Sequence, residues 1–413
     1  MTPRSLDAHS NGSILKERLG HNQQAGLAAV ATQGDQDKLY TRVSVPRELF
    51  LWLTLSVFFF GSAISIHIGQ WVGTPLYFIK KKAYYAYMAL TKRAGALLIL
   101  TITQWWSPTL ARVSGDASVQ GQLQLDQKGF VRCAFPKRAV IVANHQIYTD
   151  WSYLWWMAYT AGCHDRLYIM LKDSLRWIPV LGIGLRFFGF IYMSRKWASD
   201  ESRMIHRMQK LNSGYGSSQE HPDSMWLLVF PEGTNLSAKQ RAMSAKFAVK
   251  SGQADMIHTV LPRSTGLRCC LQSVRDTVDW MYDCTIAYEG IVRGQYSAET
   301  FTLRSTYFRG QQPKSVNMYW RRFRISDMPL DDKDAFHAWL TARWREKDQL
   351  IEEYINTGRF PAFEYTSESE AQRLDYVQSQ VGLKHPLEIL RIFLPFGIGM
   401  AVIGVVLRLC NRI

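Results

Sequence analysis

Two polar clusters, each set directly behind a short apolar run, constrain the fold of this 413-residue chain more than any other feature. The first is Asn144-His145-Gln146-Ile147-Tyr148-Thr149-Asp150, after the run 139–143; the second is Phe230-Pro231-Glu232-Gly233-Thr234, which closes the run 226–230. Runs of this length, rich in β-branched and bulky residues and bounded by turn residues, read as buried strands. Both clusters then fall at strand carboxyl ends, where open α/β sheets build their sites. Further strand candidates are 167–171, 188–192, 285–288 and 316–320, alternating with helical stretches from about 110 to 325, which is the pattern of an α/β domain.

The remainder of the chain points to a membrane. Leu49 to Ile66 is almost wholly apolar and is followed by Lys80-Lys81-Lys82. Eighteen residues approach the ~20 that a span needs. A second apolar run, Tyr84 to Trp106, is interrupted by Lys92-Arg93. The two form a helical hairpin that dips into or crosses the bilayer, with a pair of buried helices as the competing reading. The helix expected from Trp151 to Ala161 carries aromatic rings on nearly every face, which suits contact with lipid or a neighbouring membrane helix. Asp331 to Asn356 has acidic residues at its start, an apolar stripe and Gly358 after its end, so it reads as a long helix. Ile392 to Leu407 is a last apolar segment, for which a re-entrant helix and a span compete. The expected organisation is a disordered polar tail (1–45), a membrane hairpin (46–108), a catalytic domain (109–360), a linker (361–390) and a C-terminal membrane segment (391–413).

Charge and thiols narrow the class. The 49 Lys and Arg against 34 Asp and Glu leave a net charge of +15, which suits nucleic acid, an anionic membrane or a phosphorylated substrate. Fourteen Trp, 19 Tyr and 20 Phe favour the membrane, and no nucleic-acid-binding motif accompanies the charge. Six cysteines without Cys-x-x-Cys spacing read as reduced thiols of a cytosol-facing protein. No residue cluster has metal-ligand spacing, so no metal is expected.

At the first cluster, the turn between His145 and Asp150 can return the carboxylate to the imidazole. A carboxylate on one ring nitrogen fixes the tautomer and leaves the other nitrogen free as a general base. Glu232-Gly233-Thr234 offers amides that approach an anion closely at glycine, plus a hydroxyl. Ser194-Arg195-Lys196 supplies an arginine suited to phosphate, and Leu261-Pro262-Arg263-Ser264 forms a fourth cluster. No Gly-x-Ser-x-Gly elbow is present, which disfavours a serine acyl-enzyme. These parts together point to a hydroxyl activated on an anionic lipid.

With these residues in place, the sequence resembles the glycerolipid and lysophospholipid acyltransferases. Their Asn-His-x-x-x-x-Asp motif is matched by Asn144, His145 and Asp150, and their Phe-Pro-Glu-Gly-Thr motif by residues 230–234. The segment 190–195, ending in Arg195, looks like the second motif, and Val260-Leu261-Pro262 like the fourth. Softer matches through residue 347 are closest to the lysocardiolipin and lysophosphatidylinositol branch. The resemblance implies an α/β fold with an acyltransferase-type mixed sheet flanked by helices, N-terminal membrane helices and a C-terminal membrane-associated helix. It implies acyl transfer from acyl-CoA, a co-substrate and not a cofactor, to the free glycerol hydroxyl of an anionic lysophospholipid at the endoplasmic reticulum membrane. His145 and Asp150 are the implied catalytic pair. Asn144, Arg195, Glu232, Gly233 and Thr234 are the implied substrate contacts, with Lys172 assisting and Pro262 shaping the site near the acyl chain. The expected partners are acyl-CoA, lysophospholipid and membrane lipids, and no nucleic acid. Synthesis of phosphatidic acid, and a non-catalytic lipid-binding role, are the alternatives.

Overall fold

The computed structural model of the protein describes residues 43–194, 196–212, 223–362 and 376–410. Ten strands occur among them: β1 (Leu110–Gly115), β2 (Leu123–Leu125), β3 (Val131–Cys133), β4 (Arg138–Ala143), β5 (Leu167–Lys172), β6 (Ile191–Met193), β7 (Met225–Val229), β8 (Trp280–Tyr288), β9 (Ser315–Arg324) and β10 (Val377–Gln380). The helices of seven or more residues are α1 (Val45–Gly73), α2 (Lys81–Trp106), α3 (Asp150–Thr160), α4 (Leu181–Phe187), α5 (Trp197–Asn212), α6 (Ala238–Ser251), α7 (Ser264–Val274), α8 (Lys333–Thr357) and α9 (Leu394–Cys410). Eight strands form one sheet in the order β10–β1–β9–β8–β4–β7–β5–β6, and β2 and β3 form a separate ribbon. From β8 to β6 the neighbours are parallel, whereas β8 and β9 run antiparallel.

β4 lies inside this sheet and is covered on both faces. Ala139, Ile141 and Ala143 point into one hydrophobic cluster with α2 and α3, while Val140 and Val142 point into another with α5, α7 and α8. This is why its text is continuously apolar and does not alternate. The architecture is thus the expected mixed sheet between helical layers. The start of the predicted 188–192 strand is corrected: Phe188 caps α4 and only Ile191–Met193 pairs with β5.

The membrane hairpin separates into two unlike helices. α1 presents Leu49, Phe50, Trp52, Leu53, Val57 and Phe60 outward, each more than 45% exposed. With its short continuation to Ile79, it is the one described helix long and apolar enough on its own to cross a membrane. α2 instead belongs to the domain core, with Ala94, Ala96, Leu97, Leu98 and Leu100 at most 4% exposed. Its buried Lys92 donates to the Leu167 carbonyl at 3.1 Å, which explains a lysine in mid-run. Small residues allow close approach of the apolar helices. A Cβ on Gly69 of α1 would stand 2.6 Å from Pro395 at the start of α9, and one on Gly73 would meet Tyr87 of α2. The segment Pro386–Ile392 and α9 form a bent apolar pair, kinked by 45°, that together reaches spanning length.

Two further expectations are corrected. The rings of α3 do not face lipid: Tyr153, Trp155 and Trp156 are at most 2% exposed, packed between the sheet and α2. The segment 361–390 is more than a linker, because Val377–Gln380 adds an antiparallel edge strand to β1. The expected tail lies almost entirely outside the described residues.

Candidate active site

β4 and β7 are parallel neighbours in register, with Val142 opposite Val229, so the segments that follow them leave the sheet side by side. Asn144 ties the first segment down. Its amide donates to the Ile286 carbonyl (2.9 Å) and accepts from the Ile286 amide (2.8 Å), standing in for a ladder partner on β8. Asn144 is fully buried, so it fixes the turn and does not line the site, a correction to the expected substrate contact. One turn later Asp150 opens α3 and folds back. Its Oδ2 accepts from the amides of Gln146 (2.5 Å) and Ile147 (3.0 Å) and lies 2.7 Å from His145 Nδ1. Its Oδ1 accepts from the Tyr288 hydroxyl at 2.5 Å. Four donors around one fully buried carboxylate leave it little freedom, and the imidazole it holds is stacked on Phe230 with centroids 4.5 Å apart. With Nδ1 engaged as a donor, Nε2 is the basic nitrogen, on a side chain that is 20% exposed.

The second segment packs under the first: the Leu236 amide donates to the His145 carbonyl at 2.8 Å. Glu232 faces inward and is 1% exposed. Its Oε1 accepts from the Trp344 indole of α8 at 3.2 Å, and its Oε2 has no hydrogen-bond partner among the described residues. Burial pushes its carboxyl up to about 8, outweighing the Trp344 bond and the nearby Lys347 charge. Neutral Glu232 is not a second anion beside Asp150. The fold therefore favours the protonated form, and ionising it costs stability as pH rises from 4.5 towards 8. Over that window the stability of Glu232→Gln should gain steadily on that of the wild type, by an amount on the order of a few kcal/mol. A pH-independent difference in parallel thermal melts would remove the buried acid from the account.

Below Glu232, Lys347 Nζ lies 2.6 Å from Asp283 Oδ1 and donates to the Cys284 carbonyl at 2.6 Å, while Arg321 Nε donates to Asp283 Oδ2 at 2.8 Å. Burial alone would raise the Asp283 carboxyl, but the two cations hold it below the usual carboxylate range.

Comparison with known proteins bears on this geometry. The acyltransferase family profile matches residues 118–270, and the profile of the acyltransferase C-terminus matches 306–381. An acyltransferase of Schizosaccharomyces pombe is 36% identical over 352 residues, 85% of this chain and 94% of the relative. The chain belongs to the acyltransferase family. Among its other relatives is a 2-acyl-1-lysophosphatidylinositol acyltransferase of Saccharomyces cerevisiae, 37% identical over 308 residues, 68% of this chain and 78% of the relative. Another is the human 1-acyl-sn-glycerol-3-phosphate acyltransferase gamma, 25% identical over 318 residues and 77% of each chain.

In this acyltransferase the other expected site residues divide. Gly233 adopts φ +68°, a left-handed conformation that suits glycine, in a turn closed by its amide on the Phe230 carbonyl. Thr234 follows it, half-buried. Pro262 is buried, and the next residue, Arg263, ties its amide to the Pro231 carbonyl at 2.9 Å. The Arg263 side chain reaches across the 230–234 segment, with Nε 3.9 Å from where a Gly233 Cβ would stand. It is exposed and has no carboxylate partner among the described residues. Lys172 ends β5, exposed and two strands away from β4, outside the hydrogen-bonded cluster at His145. Arg195 lies outside the described residues. Tyr288 and Trp344 lie 138 and 112 residues from their site partners and Lys347 63 from the carbonyl it binds, so none has a local sequence signal; Arg263 stands in a cluster visible in the sequence.

Proposed function

We propose that this acyltransferase moves a fatty acyl group from acyl-CoA to the free glycerol hydroxyl of an anionic lysophospholipid, such as lysophosphatidylinositol. The observation that carries the reading is the His145–Asp150 dyad, with an open Nε2, beside an arginine, Arg263, that has no carboxylate partner among the described residues. His145 Nε2 takes the hydroxyl proton as the oxygen attacks the thioester carbonyl carbon. The tetrahedral adduct collapses, the carbon–sulfur bond breaks, and the imidazolium returns its proton to the departing thiolate. Asp150 stabilises that imidazolium. Arg263 and the Gly233 turn hold the acceptor's phosphate, and neutral Glu232 supports the turn from below. We assign Arg195, which ends the 190–195 motif, to the same phosphate as a second cation. A cavity of about 270 Å³ beside Gln146 and Tyr288, walled by Leu236, Met256, Ile291 and Ile351, gives an acyl chain an apolar bed.

The exposed face of α1 and the unpaired thiols Cys133, Cys163, Cys269, Cys270 and Cys284 support a membrane-bound enzyme of the endoplasmic reticulum with its site towards the cytosol. The decisive test is a panel of single acceptors with labelled acyl-CoA. Lysophosphatidylinositol should be the preferred acceptor, and Arg263→Ala should raise its KM roughly tenfold or more, the worth of one charged hydrogen bond, with the acyl-CoA KM unchanged. A preference for lysophosphatidic acid would move the enzyme to phosphatidic acid synthesis. Equal effects on both KM values would take the acceptor phosphate away from Arg263.

A further inference from the structure

The two oxygens of the Asp150 carboxylate are held in different ways. Oδ2 is shared by His145 and two backbone amides, whereas Oδ1 accepts only from the Tyr288 hydroxyl among the described residues, at 2.5 Å. Tyr288 arrives there by strand register and not through the motif. It ends β8, where Tyr282, Cys284, Ile286 and Tyr288 alternate onto the face of the sheet that packs on α2 and α3. β8 runs parallel to β4 with Cys284 opposite Ala143, so a residue four places on lies beside the first turn of α3, which Asp150 opens.

The ring is fixed from two sides. Tyr153 of α3 lies with its centroid 6.0 Å away, and Phe301, just after the short helix Ser297–Thr300, with its centroid at 5.9 Å. At 1% exposure the side chain cannot turn its hydroxyl to solvent. Burial, and then the neighbouring Asp150 charge, push the phenol well up, so it is a neutral donor at every working pH. The other titratable groups around the pair are engaged or neutral. Tyr153 shares a hydrogen bond with Thr109 at 3.2 Å, and burial keeps the Cys284 thiol in its neutral form. Lys347 lies against Asp283, and Glu232 loses its proton only near pH 8. Tyr148 and Arg263 are exposed.

A donor on Oδ1 has two effects. It stops the carboxyl group from rotating about its Cβ–Cγ bond, which keeps Oδ2 in line with His145 Nδ1. It also draws negative charge away from Oδ2 and so weakens the hold of Asp150 on an imidazolium. Without that donor, a fully buried carboxylate would bind the imidazolium more firmly. His145 would then stay protonated to higher pH and return its proton less readily to the departing thiolate.

We infer that Tyr288 is a positioning residue of the acyl transfer: acting through Asp150, it aligns His145 and sets its basicity. This role rests on the reading of His145 as the general base.

The test is the pH profile of kcat/KM for the acceptor in Tyr288→Phe, on the full-length protein with labelled acyl-CoA. Lysophosphatidylinositol is the acceptor used, because its phosphodiester keeps one charge across the range. Phenylalanine retains both ring contacts and removes only the hydroxyl. The acidic limb, which reports the base of the free enzyme, should move up by about half to one pH unit. The ratio of wild-type to variant rate should then be about three- to tenfold larger below the limb than on the plateau. Circular dichroism on the same samples follows the fold at each pH. A limb that stays in place, under a rate lowered by one factor at every pH, would make Tyr288 a packing residue and overturn the inference. His145→Ala, run in parallel, separates the two failures: near-normal transfer in that variant would remove the base itself. Should Tyr288→Phe fail to fold, 3-fluorotyrosine placed at position 288 keeps the ring and the hydroxyl and is the stronger donor. It should move the limb down by roughly a few tenths of a unit, and a limb that rose or stayed in place would overturn the inference.

Discussion

Replacing His145 by alanine should lower acyl transfer by about 10²–10⁴-fold while leaving the fold intact, the usual contribution of a general base. The imidazole is stacked on Phe230 and its side chain is 20% exposed, so its loss leaves no deep cavity. Asp150→Asn is expected to reach a similar loss of rate by another route. Its Oδ2 serves three donors, and an amide nitrogen at that place would face the Gln146 and Ile147 amides as donor against donor. The asparagine would then disturb the turn as well as the tautomer, at a cost of about 1–3 kcal/mol for the unsatisfied groups. His145→Ala is thus the cleaner probe. Initial rates with labelled acyl-CoA and circular dichroism on the same preparation check both. Transfer within threefold of wild type in His145→Ala would take the dyad out of the chemistry.

Asp283→Ala should cost about 3–5 kcal/mol of stability, because it strands Lys347 and Arg321 in the interior without their shared counter-ion. Lys347 is fully buried and Asp283 is 1% exposed, so neither can recover its hydration by a side-chain rotation. For a domain of this size that is a fall in melting temperature of roughly 10 °C. The double variant Asp283→Leu/Lys347→Met removes the charges together and should regain most of the loss, since Arg321 keeps Glu346 at 2.5 Å. A single variant that melts within about 2 °C of wild type would show that these charges are solvated. A double variant no better than the single would show that packing, and not charge, is what Asp283 supplies.

Much of this was legible in the sequence, for reasons that differ from element to element. β4, β5 and β7 announced themselves because strands buried on both faces must be continuously apolar, and the turn residues after β4 and β7 marked where the site would be. The His145–Asp150 contact was legible because a five-residue separation across a turn into a helix leaves few places for the carboxylate. Tyr288 was not, since what brings it to Asp150 is the pairing of β8 with β4, a long-range event with no local trace. α2 misled for a physical reason: a helix buried in protein and one buried in lipid need the same side chains. Only the partner of Lys92, a backbone carbonyl on β5, tells them apart. The aromatic helix α3 misled in the same way. β10 escaped notice because a four-residue edge strand carries almost no pattern.

The burial of α2 also bears on how such an enzyme can be handled and how it could have arisen. The usual strategy of trimming hydrophobic leader segments to obtain a water-soluble catalytic fragment would, if the cut fell near residue 109, strip one wall from the interior and expose the rings of α3. A cut before Lys81 would spare that wall, yet would uncover the side of α2 on which Gly73 now sits against Tyr87. The same continuity implies that the apolar helix α1 was not appended to a finished globule: it packs on α2, which packs in the domain core, and neither could be exchanged for a foreign helix without rebuilding the other.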